Sequence, residues 1–152
     1  MLFFYGKILL EVIYMNDEKY MRIALKEALK AFKCDEVPVG AVIVKDGKIL
    51  SKAHNKKETS KQSIYHAEII AIEKACRKVN DWRLNDCTIY VTLEPCEMCK
   101  GAIKESRIKK VVYAAKRKKE ENISLEIKKI SNKNINDESE MILLDFFKHK
   151  RK

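Results

Sequence analysis

Helical and strand patterns alternate along most of this sequence, and their order restricts the folds that the chain can adopt. Apolar residues recur at helical spacing over residues 17–32, and two later apolar runs meet at Asp46-Gly47, a strong signal of a β-hairpin. The predicted elements are helices at 17–32, 66–79, 96–106 and 138–148 and strands at 39–44, 48–53, 87–94, 109–115 and 123–130. This order predicts an α/β protein, a three-layer α/β/α sandwich with a mixed central sheet of about five strands.

The first fourteen residues differ in character from the rest of the chain. Residues 1–14 are strongly apolar, although Lys7 and Glu11 interrupt them. No small-residue cleavage site comes after them, and the run is shorter than the roughly 20 residues that span a bilayer, so we expect neither a signal peptide nor a membrane helix. A regular helical pattern opens at Met15. We therefore predict a single domain at 15–152 and, before it, an apolar extension at 1–14 whose role the sequence does not indicate.

The cysteine content points to thiol or metal chemistry. The chain has five cysteines, an odd number, and nothing in it resembles a secretory signal. A disulfide framework is therefore not expected, and the pattern favours a cytoplasmic protein.

Two short motifs carry the chemistry of the chain. His66-Ala67-Glu68 opens one predicted helix, and Pro95-Cys96-Glu97-Met98-Cys99 opens another. Cys96 and Cys99 are three residues apart and share a helix face, where the positive end of the helix favours thiolates that bind zinc. With His66 as third ligand, a fourth position stays open for water, which is the catalytic arrangement. Glu68 lies close enough to carry protons without binding the metal.

Each motif alone has other interpretations. A lone Cys-x-x-Cys is also found in redox pairs and in structural zinc sites, and Cys87 as a fourth ligand would close the site. Cys87 lies at the far end of the preceding predicted strand, however, about seven strand rises from Cys96. A nucleic-acid-binding module with a structural zinc would have no use for Glu68. Together and in this order the motifs form the signature of zinc nucleobase deaminases, so we expect one catalytic Zn²⁺ per subunit.

Longer stretches of the sequence resemble the bacterial tRNA-specific adenosine deaminase family. The resemblance covers most of residues 19–115 and resumes near the C-terminus. Its main stretches are Glu36-Val37-Pro38-Val39-Gly40-Ala41-Val42-Ile43-Val44, His66-Ala67-Glu68-Ile69, Val91-Thr92-Leu93-Glu94-Pro95-Cys96-Glu97-Met98-Cys99 and Asp145-Phe146-Phe147. It implies hydrolytic deamination of the wobble adenosine to inosine in a tRNA anticodon stem-loop, by a zinc-dependent homodimer.

The resemblance also implies roles for single residues. It assigns zinc ligation to His66, Cys96 and Cys99, proton transfer to Glu68, a hydrogen bond with the target base to Asn55 and a place in the pocket wall to Val37. The sequence departs from the family pattern after Ala115. The family usually has a longer loop with glycine here, whereas the segment 116–122 is short, begins with basic residues and contains no glycine. Arg117 stands where the family typically has an acidic residue.

The charge of the chain favours a nucleic-acid substrate. Lys and Arg number 32 against 22 Asp and Glu, a formal net charge of +10. Residues 100–119 contain nine of these basic residues and one acid, Glu105. Such a run is also typical of a solvated face, but this one begins on the helix that carries Cys99. We therefore expect an RNA-facing patch; the alternative is a small-molecule deaminase acting on a free base or nucleoside of the guanine or cytosine type.

Overall fold

The structure is a computed structural model that describes residues 2–118, 124–129 and 131–150. Helices and strands alternate in the predicted order over most of the chain. The elements are α1 (Leu2–Lys33), β1 (Gly40–Lys45), β2 (Lys48–His54), α2 (Lys57–Ser60), α3 (Ala67–Val79), β3 (Cys87–Leu93), α4 (Glu97–Glu105), β4 (Lys110–Ala115) and α5 (Lys133–Lys150). The chain divides into two compact units, Met1–Lys119 with the sheet and Glu120–Lys152 with α5.

The sheet has four strands in the order β2-β1-β3-β4. β1 pairs antiparallel with both β2 and β3, whereas β3 and β4 run parallel, so the sheet is mixed. Asp46 and Gly47 form the predicted hairpin turn, and both have positive φ angles, 50° and 73°. Two positive φ angles are what a tight turn between right-twisted strands requires, and Gly47 adopts this conformation at no steric cost.

Helices cover both faces of the sheet because β1 is apolar on both sides. Val42 and Val44 face α1, whereas Ala41 and Ile43 face α3. On the α1 side, the buried cluster consists of Tyr20, Ala24, Val42, Val44 and Tyr90. On the opposite side, the larger cluster includes Ala41, Ile43, Ala67, Ile70, Ala71, Ile89, Val91 and Ile103. The predicted three-layer α/β/α sandwich is therefore confirmed.

The predicted strand count of about five was one too many for the part of the chain that the structure describes. Residues 124–129 contain no strand, and the ends of the predicted segment, Ile123 and Ile130, lie outside the described residues. Leu125 and Ile127 are 78% and 85% exposed. An alternating apolar pattern favours a strand only when one face is buried, and here neither apolar side chain is.

Two helices are longer than their patterns indicate. α1 begins at Leu2, not near residue 17, because no proline separates the apolar extension from Asp17 and the helix continues through Asn16, a residue that could have capped it. α5 begins at Lys133, where the side chain of Asn132 accepts hydrogen bonds from the backbone N–H groups of Asn134 and Ile135 and so caps the first turn. Among the described residues, no helix combines the length and the hydropathy needed to cross a bilayer.

Gly40 packs tightly against the backbone of α1, and this contact leads to a prediction about stability. A Cβ atom at Gly40 would lie 1.9 Å from the Ala24 carbonyl oxygen and 2.7 Å from the Ala28 nitrogen, both backbone atoms. Because the helix itself would have to move, we expect Gly40→Ala to lower the free energy of unfolding by about 3 kcal/mol or more, measured by urea denaturation.

Gly101 provides the matched control. It lies within α4, and a Cβ atom there would meet nothing within 4 Å. Gly101→Ala should therefore raise the free energy of unfolding by about 0.5–1 kcal/mol, because alanine restricts the unfolded chain more than glycine. If both variants were equally stable, α1 could not cross β1 as closely as the structure describes.

Candidate active site

Three predicted ligands converge on one point although they lie far apart in the sequence. His66 Nδ1 lies 3.6 Å from Cys96 Sγ and 3.5 Å from Cys99 Sγ. All three donor atoms fall within 4.8 Å of one another, and no fourth His, Cys, Asp or Glu donor joins this group in the described parts of the chain. The structure thus brings the three side chains together; their role as metal ligands stays a prediction.

Two helix N-termini bring these donors together. His66 and Cys96 occupy the N-cap positions of α3 and α4, with extended backbone angles, and Cys99 lies in the first turn of α4. The first backbone N–H groups of both helices therefore point towards the cluster, and their partial positive charge stabilises thiolates. The strand β3 delivers Pro95-Cys96 to this position because α4 follows it after three residues.

The donor set fits a zinc ion. Tetrahedral zinc with bonds of about 2.3 Å to sulfur and 2.0–2.1 Å to nitrogen places those ligand atoms about 3.6 Å apart. The two observed N···S distances, 3.5 and 3.6 Å, agree with this value. Cys87 is the first residue of β3, at the opposite end of the strand and about 20 Å away by strand rise, so it does not close the site.

Glu68 lies against the cluster and is almost fully buried. Its side chain is 2% exposed and accepts a hydrogen bond from the Cys99 thiol. Burial raises the pKa of the Glu68 carboxyl above its ordinary value, and the Cys99 hydrogen bond and the positive charge of Arg117 oppose this rise. A carboxyl group with a raised pKa exchanges protons more readily near neutral pH, as a general acid–base requires.

The Cys99 thiol is the second acidic group in this buried position. It is fully buried, and burial, followed by the neighbouring Glu68 carboxylate, raises the pKa of Cys99 well above its usual range. Two acidic groups in contact and shielded from water cannot both ionise without a compensating cation. A divalent metal ion would supply this cation, so the donor set fits a metal site in its chemistry as well as in its distances.

A cavity of about 260 Å³ opens beside Glu68. It is lined by Glu36, Val37, Val39, Asn55, Lys57, Glu58, His66, Glu68, Leu93 and Arg117. Both predicted substrate-contacting residues, Asn55 and Val37, are among them. Asn55 Oδ1 accepts a hydrogen bond of 2.7 Å from the Ala67 N–H, so this oxygen is used at the start of α3. The amide NH₂ is then the group of Asn55 that can donate to a ligand.

Sequence reasoning missed Glu36, which holds one wall of this cavity. Its buried carboxylate accepts hydrogen bonds from the backbone N–H groups of Glu58 and Thr59 and from the Thr59 hydroxyl. Burial raises the pKa of the Glu36 carboxyl, but these hydrogen bonds outweigh burial and hold that pKa below its ordinary value. The acid in Glu36-Val37-Pro38 was visible in the sequence, but its partners lie more than twenty residues away in α2, a helix of four residues that no periodic pattern indicates.

This fold and this site together define the class of the protein. A three-layer α/β/α sandwich in which two helix N-termini place a His-Cys-Cys group beside a buried glutamate is the arrangement of the cytidine deaminase-like enzymes. A family model for MafB19-like deaminases matches residues 15–151.

Similarity to individual proteins narrows the class to a family. The tRNA-specific adenosine deaminases of Bacillus subtilis and Aquifex aeolicus are 53% and 52% identical to this chain over 100 and 105 residues, 66% and 69% of its length. These matches span 62% and 70% of the two relatives. The chain belongs to the tRNA-specific adenosine deaminase family.

Solved structures agree with this fold. One, from a study of A-to-I editing by tRNA:A34 deaminases at the wobble position, has a TM-score of 0.65 and 41% identity, and the match covers 66% of this chain and 72% of that one. Another is the guanine deaminase of Bacillus subtilis, with a TM-score of 0.63 and 42% identity over 65% of this chain and 64% of that one. Similar structures therefore include one from work on tRNA editing and one of an enzyme named for a free base.

Proposed function

We propose that this protein is a zinc-dependent hydrolase that converts the wobble adenosine of a tRNA anticodon to inosine. The observation that carries the proposal is the buried Glu68 in contact with Cys99, at the floor of an open cavity and beside the converging His66 and Cys96. In a family of tRNA-specific adenosine deaminases, this arrangement supports an active enzyme over a binding module with a structural metal.

In this proposal His66, Cys96 and Cys99 hold one zinc ion per subunit. When bound, zinc lowers the pKa of water towards 7 and so supplies a nucleophile at neutral pH. The Glu68 carboxylate accepts one proton from water and delivers it to the purine ring, then accepts the second proton from the new hydroxyl group on C6 and delivers it to the leaving amine, so that adenosine and water give inosine and ammonia. Its nearly complete burial keeps bulk water from taking over this proton transfer.

The remaining cavity residues position the base. The NH₂ group of Asn55 donates to an acceptor nitrogen of the ring, and Val37, which is 62% exposed, forms an apolar wall at the rim. The cavity is smaller than the roughly 300–1,000 Å³ typical of pockets for drug-sized ligands, so it suits a single base. The adenine must leave its stack to enter, because C6 of a stacked base cannot reach Glu68.

The substrate in this proposal is a tRNA anticodon stem-loop. The net charge of +10 and the exposed lysines Lys104, Lys109, Lys110, Lys116 and Lys118 support a polyanionic partner. The names of the family relatives support tRNA in particular. Homodimer formation and a cytoplasmic location, both expected from the sequence, stay predictions.

A free purine base is the second candidate substrate, because a guanine deaminase structure is as similar to this chain as the tRNA-editing structure is. We would incubate the zinc-loaded protein with an arginine-tRNA anticodon stem-loop carrying adenosine at the wobble position, and separately with free adenosine, guanine and cytidine. Mass spectrometry should find inosine in the stem-loop alone. Conversion of a free base or nucleoside alone would contradict the tRNA assignment and leave the zinc chemistry intact.

A further inference from the structure

Arg117 is held at the cavity by the strand that precedes the metal-binding motif. The last residues of the parallel strands β3 and β4 are paired, Leu93 with Ala115, and the Glu94 N–H continues the ladder with a hydrogen bond of 2.8 Å to the Ala115 carbonyl. Two residues further on, Arg117 Nε donates to the Glu94 carbonyl oxygen at 3.0 Å. The backbone that leads into Pro95-Cys96 thus fixes the position of a guanidinium group.

This guanidinium group lines the same cavity as Glu68 and Asn55. Arg117 is half-buried, whereas Lys116 and Lys118 on either side of it are exposed and do not line the cavity. Of three successive basic residues, one is therefore turned towards the proposed base-binding site and tethered there. A basic residue on a solvated face needs no hydrogen bond that fixes its side chain, so the hydrogen bond of Arg117 to Glu94 indicates a specific role for residue 117.

The charges around the cavity indicate which part of a nucleotide Arg117 meets. Glu68 lies at the buried end, where an uncharged base fits and an anion does not. Glu58 adds a further acid, while Glu36 is engaged by Thr59. Lys57 and Arg117 are the cations among the lining residues, and an arginine fork binds phosphate oxygens through two parallel N–H···O bonds.

We propose that Arg117 binds a phosphate group adjacent to the nucleoside whose base enters the cavity, and thereby positions that base against Glu68. The inference rests on the proposed function, since it requires a nucleotide in a chain as substrate. It makes Arg117 a determinant of the preference for RNA over free bases, which lack the phosphate.

The experiment is a double-mutant cycle between the protein and single phosphates of the stem-loop. In one stem-loop a neutral methylphosphonate replaces the phosphate on the 5′ side of the target adenosine, and in another it replaces the phosphate on the 3′ side. Each is compared with a stem-loop that has the same sugars and an ordinary charged phosphate at that linkage. Binding is measured in a Glu68→Gln background, so that the substrate is not consumed. Lys118→Ala removes a neighbouring exposed charge and is the matched control.

We expect Arg117→Ala to weaken binding of the charged stem-loops about tenfold or more, as for other hydrogen bonds to charged groups. With one of the two neutral linkages, the same substitution should change affinity less than about twofold, because the contact is already lost. The slope of log affinity against log salt should fall by about 0.7, the value for one phosphate of a single strand. Lys118→Ala should show no such coupling to either linkage.

A structural role for Arg117 predicts a different result. If the hydrogen bond from Arg117 to Glu94 only supported the fold, Arg117→Ala would weaken binding of charged and neutral stem-loops by the same factor and would lower the zinc content. Additive effects of the substitution and of both neutral linkages would overturn the proposal. Arg117→Lys, which keeps the charge, should recover part of the affinity for the charged stem-loops alone. This variant also serves if the alanine variant does not fold, and equal recovery for the neutral stem-loops would overturn the proposal.

The test separates this inference from the proposed function. If the wild-type protein produces inosine but the effects of Arg117→Ala and of each neutral linkage on binding are additive, only the role of Arg117 is overturned. A wild-type protein that neither binds nor edits the stem-loop overturns the proposed function and, with it, this inference.

Discussion

Glu68→Gln is expected to lower the rate of deamination by about four orders of magnitude while the protein keeps its zinc. Proton transfer by a positioned side chain contributes about 10²–10⁴ in rate, and Glu68 is proposed to serve in two successive transfers. Glutamine has nearly the same shape as glutamate, but it cannot carry a proton. The rate is measured by inosine formation in the stem-loop, and zinc by elemental analysis.

A second glutamate of the same helix provides the control. Glu73 lies on the outer part of α3, where it pairs with Arg77. Glu73→Gln removes an exposed ion pair worth about 0.2–1 kcal/mol and should leave both turnover and zinc content unchanged. Retained turnover in Glu68→Gln would contradict the catalytic role. Loss of zinc from that variant would instead assign Glu68 to the integrity of the metal site.

The convergence of His66, Cys96 and Cys99 could be predicted because the signals for it in the sequence are local. A histidine or cysteine at the start of a predicted helix places its side chain at a helix N-terminus, and the structure puts both residues one position earlier, at the N-caps of α3 and α4. β3 leads straight into α4. The convergence of His66 and Cys96 itself follows from the α/β layering, which puts both helices on the same side of the sheet. The order of the elements and the residues at which two helices start thus carried most of the prediction.

Contacts between distant loops could not be predicted in this way. Asn55 was assigned through resemblance alone, but nothing in its neighbourhood indicated that its Oδ1 would accept the Ala67 N–H. Arg117 was visible only as part of a basic run, and its bond to the Glu94 carbonyl depends on the register between β3 and β4. Such contacts depend on the register between paired strands and on the conformation of the loops, and the periodicity of the sequence encodes neither the register nor the loop conformation.

Strand prediction failed where burial decides the outcome. The segment 87–94 and the segment 123–130 both contain alternating or continuous apolar residues. β3 forms between two strands and under helices on both faces, with Ile89 and Val91 fully buried. Leu125 and Ile127, in contrast, have no covering layer within the described residues, and the pattern alone does not form a strand.

Loss of one thiolate is expected to abolish both zinc binding and activity. Cys99 is fully buried and supplies one of three donors, so Cys99→Ala leaves two donors where a stable catalytic site needs three. We expect this variant to be isolated with less than a tenth of the zinc of the wild type and with no detectable inosine formation. It should also lose the stabilisation that zinc gives the wild type, about 4 kcal/mol when free zinc exceeds the dissociation constant a thousandfold.

Two other cysteines make this test specific to the site. Cys34 is exposed at the end of α1, and Cys87 is buried at the far end of β3. Cys34→Ala should retain full zinc, full activity and an unchanged melting temperature. Cys87→Ala should lower the melting temperature through lost packing but retain one zinc per chain, because Cys87 lies about 20 Å from the cluster by strand rise. If Cys87→Ala instead lost its zinc, the ion would have four protein ligands and a structural role, and the open coordination position on which hydrolysis depends would not exist.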